Sequence, residues 1–262
     1  GFDQQRNHYS DVSCYFININ SNEAPLRIEE YSPPQSSATI QVSSFSHRDI
    51  HEVDNVSLVK GGQRWYGELF DIPVNGQLEK NFLFNVPNIS SGTLTSLNIS
   101  MASNKRVSDA ASVEFAINGN VLSSTSFSSS SEDYSRIQHY FDFNSLSSSL
   151  NLKLTVSRSN PSTLAYLDRI VLNSRRNLVY TSNQLSFRDL ESVASNQIAE
   201  YSIGSFPSNG VVWDITNRQM PQKITGNNQS SVFSFLQHAD TIREFVAYDG
   251  INFSTPVFVG MV

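Results

Sequence analysis

Val113-Glu114-Phe115-Ala116-Ile117-Asn118-Gly119-Asn120-Val121-Leu122 decides the fold. Apolar residues alternate up to Asn118-Gly119 and resume after it. Both residues of such a turn must reach positive φ, so Asn-Gly between alternating runs is the strongest short hairpin signal. The same period recurs along the chain. Phe82, Phe84 and Val86 alternate, as do Leu97, Ile99 and Met101, then Leu150, Leu152, Leu154 and Val156. Tyr15, Ile17 and Ile19 give an earlier run, Ile40 and Val42 follow the loop Ser32-Pro33-Pro34, and Tyr166–Leu172 reads as a further strand. Helix-period signals are nearly absent; one short candidate covers Phe187 to Asn196.

Strands at this spacing, separated by Ser, Asn and Gly, predict an all-β protein. The expected architecture is a jelly-roll-like antiparallel β-sandwich followed by a smaller β unit. The serine-rich run 123–131 is expected as a surface loop or exposed edge strand. Gly, Asn and Gln punctuation thickens after about residue 176, as at Pro207-Ser208-Asn209-Gly210 and Gly226-Asn227-Asn228-Gln229. This divides the chain into a lead-in β segment (1–50), the sandwich (51–176) and a smaller β domain (177–262). No internal repeat is evident.

Composition narrows the function classes. Of 262 residues 39% are hydrophobic and 16% charged, and Ser, Asn and Thr fill the difference, as suits an extracellular β-protein. The formal net charge of -6 argues against nucleic acid, which wants a basic face. No apolar run approaches the ~18 residues of a membrane-spanning helix. The single cysteine, Cys14, excludes an intrachain disulfide and a cysteine-rich metal site. The chain begins at Gly1 and ends within the apolar run Pro256–Val262. Both ends read as cuts from a longer protein whose signal peptide has been removed.

Few residues suggest chemistry. Cys14 lies in a strand pattern, where a buried thiol is the expectation rather than a nucleophile. His8, His47, His51, His139 and His238 include one cluster, His47–His51. It lacks the intervening Glu of the zinc-protease motif, and on a strand its two imidazoles would lie ~13 Å apart. A solvated loop is expected there. The carboxylate pairs Glu29-Glu30 and Glu132-Asp133, and Asp249-Gly250, sit in turn-like contexts, with no sign that two converge for glycoside hydrolysis. Calcium chemistry would suit a secreted jelly roll, but no EF-hand spacing supports it. Gly61-Gly62 is not followed by a helix and makes no phosphate loop.

The stretch Gly61–Phe70 concentrates Trp65, Tyr66 and Glu68 in a turn-rich setting. Trp65 is expected to be largely buried at a sheet edge, with Glu68 satisfied by Arg64 or by backbone N–H groups. The alternative leaves Trp65 and Tyr66 exposed to stack on sugar rings. In Val211–Asn217, Trp213 is read in a buried strand running into a turn that Asp214 or Asn217 caps. Val232–Phe235 and Phe245–Tyr248 would supply partner strands. Val257–Val259 would complete that sheet or pack on a following domain.

Four stretches, in order, carry a resemblance. They are Tyr9–Ile17, Arg64–Phe70, Tyr166–Asn173 with Arg175-Arg176, and Val212–Asn217 with Pro221. Together they resemble the region ahead of the peptidase domain in gingipain-like cysteine peptidases of Bacteroidetes. The nearest in kind are the sortases of the type IX secretion system. The resemblance implies a longer secreted protein at the outer-membrane surface, in which this β region precedes a caspase-like α/β domain bearing a His-Cys dyad. Such sortases cleave C-terminal sorting signals from cargo and attach it to the cell surface. No position matches the family's catalytic motifs, so no catalytic, cofactor or metal residue is assigned. The structural or interface candidates are Trp65, Tyr66, Glu68, Asp168, Trp213 and Asp214. The expected partners are the downstream peptidase domain of the same chain and other secretion-system or outer-membrane proteins. A carbohydrate-binding module and a purely structural adhesin-like domain are the competing expectations.

Overall fold

The computed structural model describes residues 16, 24, 27–58, 64–71, 77–104, 111–128, 134–145, 147–158, 163–181, 183–253, 255 and 257–260. They hold eighteen strands and no helix. The first nine are β1 (Glu29–Glu30), β2 (Ile40–Val42), β3 (Ser44–Glu52), β4 (Leu69–Phe70), β5 (Gln77–Asn85), β6 (Leu94–Ser103), β7 (Ala111–Ile117), β8 (Asn120–Ser126) and β9 (Ser135–Asn144). The rest are β10 (Ser149–Arg158), β11 (Ala165–Asn177), β12 (Gln184–Arg188), β13 (Ile198–Ile203), β14 (Val211–Asp214), β15 (Gln222–Ile224), β16 (Asn227–Gln229), β17 (Val232–His238) and β18 (Glu244–Tyr248). The protein is all-β. It divides into two compact units, one holding 48–175 and the other Arg176–Val262 with the described residues of 17–47.

The first unit is a jelly-roll-like sandwich. One sheet has the order β5-β10-β7-β8; the other has β3-β11-β6-β9, with β4 added against β11. Alternation explains both. Leu150, Leu152, Leu154 and Val156 of β10 are buried, while Asn151 and Lys153 between them are not. They meet Phe82 and Phe84 of β5 and Leu97, Ile99 and Met101 of β6 in one core. Burying one face of each sheet against the other is the main stabilising term. The Asn118-Gly119 hairpin joins β7 to β8 with φ of 48° and 85°. Asn118 also ties the turn to β10, since its Oδ1 accepts from Asn151 N at 2.8 Å. The serine-rich β8 is an edge strand.

The second unit also packs two sheets, β1-β15-β14-β18-β12 and β16-β17-β13-β2. Strands β1 and β2 each pair in parallel, with β15 and β13. Tyr201, Phe187, Phe235 and Phe245 stack and tilt against one another at ring separations of 5.1–6.1 Å to centre the core.

Three local expectations change. The helix candidate over 187–196 is the end of β12 followed by a turn. Asp189 competes with any helix: its carboxylate accepts from Glu191 N and Ser192 N at 3.4 and 3.0 Å, an Asx-type turn. Phe245–Tyr248 does neighbour β14, but Val232–Phe235 belongs to β17 in the facing sheet. Val257–Val259 do not complete the sheet: they are exposed and in no strand, the state from which the alternative expectation, packing on a following domain, starts. No described helix is long and apolar enough to cross a membrane.

Candidate functional site

The segment 64–70 changes partners midway. Tyr66 makes an isolated bridge with Val56, donating to Val56 O at 2.8 Å and accepting from Val56 N at 3.0 Å. One residue later Gly67 N donates to Leu167 O at 2.7 Å, and Leu167 N donates to Glu68 O at 3.0 Å. Leu69 and Phe70 then pair with Tyr166 and Ala165 as β4. Glycine is required at the switch: a Cβ on Gly67 would lie 2.6 Å from Val53 O. Two of the stretches singled out in the sequence, Arg64–Phe70 and Tyr166–Leu172, are thus hydrogen-bonded neighbours.

Extended chain sends adjacent side chains to opposite sides, and this overturns the expected burial of Trp65. Tyr66 takes the inward position at 3% exposure, 6.5 Å from the Tyr166 ring, and leaves Trp65 40% exposed. Arg64 beside it is exposed as well.

Glu68 is satisfied by neither Arg64 nor backbone. Its Oε1 lies 2.6 Å from Nε2 of His51, whose ring packs edge-on against Phe82 at 4.8 Å. Topology brings the two together. A strand has two edges; β6 occupies one edge of β11, so β3 and β4 share the other. The second carboxylate oxygen, Oε2, is buried with no hydrogen-bond partner. Sequence reasoning missed this pairing, and seventeen residues of separation leave no local signal for it.

Asp168 is the extra residue of a β-bulge: the β11–β6 register shifts between Leu167 and Arg169. A bulge re-aims a side chain, and here the carboxyl is nearly buried. Burial pushes its pKa up; Arg169, Arg64 and Arg136 oppose the shift and Asp54 adds to it. Trp65, Tyr66, Glu68 and Asp168 therefore belong to one region, where β4 joins β11. The region holds an indole, a buried carboxyl and a His–carboxylate pair. Among the described residues neither His51 nor Glu68 hydrogen-bonds a hydroxyl.

Trp213 and Asp214 lie in the second unit. Val212 and Asp214 are the buried residues of β14, so Trp213 between them is half-buried rather than buried and packs edge-on against Tyr248 at 5.1 Å. Asp214 faces the interior. Its Oδ1 accepts from Thr216 N at 2.9 Å and its Oδ2 from Gln237 Nε2 at 2.8 Å, with Arg243 4.0 Å away. Asn217 Oδ1 accepts from Gln219 N at 3.1 Å. This constellation braces the fold.

His47 and His51 lie on β3, not in a solvated loop. Glu29 and Glu30 form β1 rather than a turn, and Lys223 reaches Glu30 at 3.5 Å. Among the described residues no group of three His, Cys, Asp or Glu is placed to hold a metal. Cys14, His8, Gly61-Gly62, Glu132-Asp133 and the alternating Tyr15, Ile17 and Ile19 lie outside the described residues.

No protein-family description matches the chain, and no curated protein matches it in sequence. The fold is similar to the crystal structure of dimeric latent PorU from Porphyromonas gingivalis. That likeness has a TM-score of 0.73 and 21% identity over 91% of this chain and 23% of that one. At this identity it shows a PorU-like fold, and the chain spans about a quarter of its neighbour's length. Two fainter likenesses are the CBM36-1 domain of a multidomain xylanase from the hindgut metagenome of Trinervitermes trinervoides (TM-score 0.32, 14% identity, 48% of this chain, 96% of that one) and the insecticidal delta-endotoxin Cry8Ea1 of Bacillus thuringiensis (TM-score 0.32, 17% identity, 40% and 18%).

Proposed function

We propose that this chain is the non-catalytic β region of a secreted, surface-located, gingipain-like cysteine peptidase of the PorU type, a type IX secretion sortase that processes C-terminal sorting signals. The likeness carries the reading, because a single solved protein matches 91% of the chain. The convergence of Arg64–Phe70 on Tyr166–Asn173 supports it, since both stretches carry the sequence resemblance. The peptidase domain lies downstream in the same polypeptide and docks on this region. Other secretion-system or outer-membrane proteins are further partners, at the surface of a Gram-negative cell. Two measurements test this. Sequencing the gene past Val262 is expected to reveal an α/β domain with its His and Cys. The purified 262-residue chain is expected to leave sorting-signal peptides intact; cleavage blocked by thiol alkylation would sink the non-catalytic assignment.

The exposure of Trp65 favours a second reading, a carbohydrate-binding module, because an accessible indole can stack on a sugar face. That reading expects saturable glycan binding lost in Trp65→Ala. A wild-type chain that binds no glycan on an array removes it.

A further inference from the structure

Leu97, Ile99 and Met101 of β6 point into the core of the first unit, so Asn98, Ser100 and Ala102 between them lie on the outer face of the sheet. All three are short, and all three are buried. The register sets longer side chains beside them. Asn98 stands between Val171 of β11 and Tyr140 of β9; Ser100 stands between Arg169 and Gln138. Tyr140 is 63% exposed and Gln138 is exposed too, so the β9 side rises above a buried floor. Short residues on a central strand, flanked by longer ones, make a trough along β6.

The floor carries an unmet demand. Asn98 is only 9% exposed, and its Oδ1 is buried with no hydrogen-bond partner. Leaving such an acceptor unpaired is costly, and native proteins nearly always pair it. Among the described residues the side chains of Ser100, Gln138 and Tyr140 make no hydrogen bond either. Val171 adds an apolar surface beside the amide; it is fully buried yet belongs to neither core.

We propose that this trough binds a neutral saccharide, with a sugar hydroxyl donating to Asn98 Oδ1 and an apolar ring face lying on Tyr140. The exposed Tyr140 ring, directly across the strand pair from Asn98, gives way as the hydroxyl reaches the amide. Tyrosine offers a flat apolar body with a polar tip. The amide of Gln138 and the hydroxyl of Ser100 both donate and accept, as sugar hydroxyls do. Other ligand classes fit less well. The row of Asn98 and Tyr140 carries no charge, Arg169 in the next row already acts on Asp168, and the chain is acidic overall at -6, which disfavours an anion. An extended peptide finds no free backbone here, because β6 is paired on both edges. The ligand class is that of the carbohydrate reading, on which this inference rests, but the site is another: segment 64–70 joins β11 on the edge away from β6.

Isothermal titration calorimetry of the 262-residue chain with cellohexaose, xylohexaose, mannohexaose and maltohexaose tests it. Saturable binding of at least one is expected. Tyr140→Ala and Asn98→Ala are each expected to weaken it about tenfold or more, whereas Tyr140→Phe, which keeps the ring, retains most of the affinity. Asn98→Ala also removes the orphan acceptor, so the melting temperature should hold or rise while affinity falls; a purely structural asparagine would lower both. Trp65→Ala should leave binding unchanged. Binding that is lost in Trp65→Ala but kept in Tyr140→Ala and Asn98→Ala would overturn the trough and leave the carbohydrate reading at Trp65 standing. Binding indifferent to Tyr140→Ala, whose exposed position keeps the test decisive if Asn98→Ala does not fold, also overturns the trough. Failure of all four sugars to bind overturns both.

Discussion

Gly67→Ala tests how tightly the segment 64–70 is held. The added Cβ would sit 2.6 Å from Val53 O, 3.1 Å from Val53 Cβ and 3.3 Å from Val53 C. These are mainly backbone atoms, which a rotamer change cannot move. Relief requires separating residue 67 from residue 53 by close to an ångström. The hydrogen bonds at risk are Gly67 N to Leu167 O (2.7 Å), Leu167 N to Glu68 O (3.0 Å) and Asn55 N to Tyr66 O (2.9 Å). Overpacking costs about 1–3 kcal/mol and each hydrogen bond lost about 1 kcal/mol. Reduced unfolded-state entropy returns about 0.4–1 kcal/mol. The net expectation is a loss of about 2–4 kcal/mol from the first unit. Each unit has its own tryptophan, Trp65 or Trp213, so urea unfolding in a Trp213→Phe background reports on the first unit alone. Gly119→Ala is the control: nothing lies within 4 Å of its Cβ, and only the φ of +85° resists. That change should cost about 1 kcal/mol. A Gly67→Ala loss below about 0.5 kcal/mol would refute the close approach.

Three further predictions use the same measurement. Tyr66→Ala should cost about 3–5 kcal/mol, the range for a buried aromatic, and Trp65→Ala, followed by circular dichroism because it removes the tryptophan reporter, clearly less; equal costs would contradict the inward and outward assignment. Asp168 has its folded pKa raised, chiefly by burial. Between the unfolded and folded values the native state holds the extra proton, so stability falls as pH rises through that window. Asp168→Asn should abolish this decline, and an unchanged pH profile would show the carboxyl to be solvated. Asp214→Ala leaves Gln237 Nε2 without its acceptor in a buried site and removes the bond from Thr216 N. It should cost the second unit about 2–4 kcal/mol, followed through Trp213 in a Trp65→Phe background.

The sequence made the strands legible wherever period two persisted. Leu150 to Val156, Leu97 to Met101 and the Asn118-Gly119 turn stand as the alternation predicts. The turn at Asp214 and Asn217 was also readable, because a short acceptor side chain reaches the amide two residues on whatever the rest of the fold does. Contacts made at a distance were not. Nothing local says that β1 and β2 pair in parallel with strands about 160–190 residues later. Nor does it say that Leu167-Asp168-Arg169 carries a bulge, since a bulge is a mismatch of two strands and needs both to be known.

The error at Trp65 has the same origin. Two adjacent aromatics cannot both face inward from extended chain, and side-chain size favours the larger. What decides is the partner strand. The bridge to Val56 sets residue 66 inward, and the close approach to Val53 at Gly67 holds that phase. The phase then runs on: with Tyr66 inward, Glu68 follows on the same side two residues later, where β3 ends and His51 meets it. Leu69, one residue on, is exposed like Trp65. A single pairing decision at Tyr66 therefore sets both what this segment buries and what it shows to a partner. A change that shifts it by one residue would bury Trp65 and Leu69 and break the His51–Glu68 contact together.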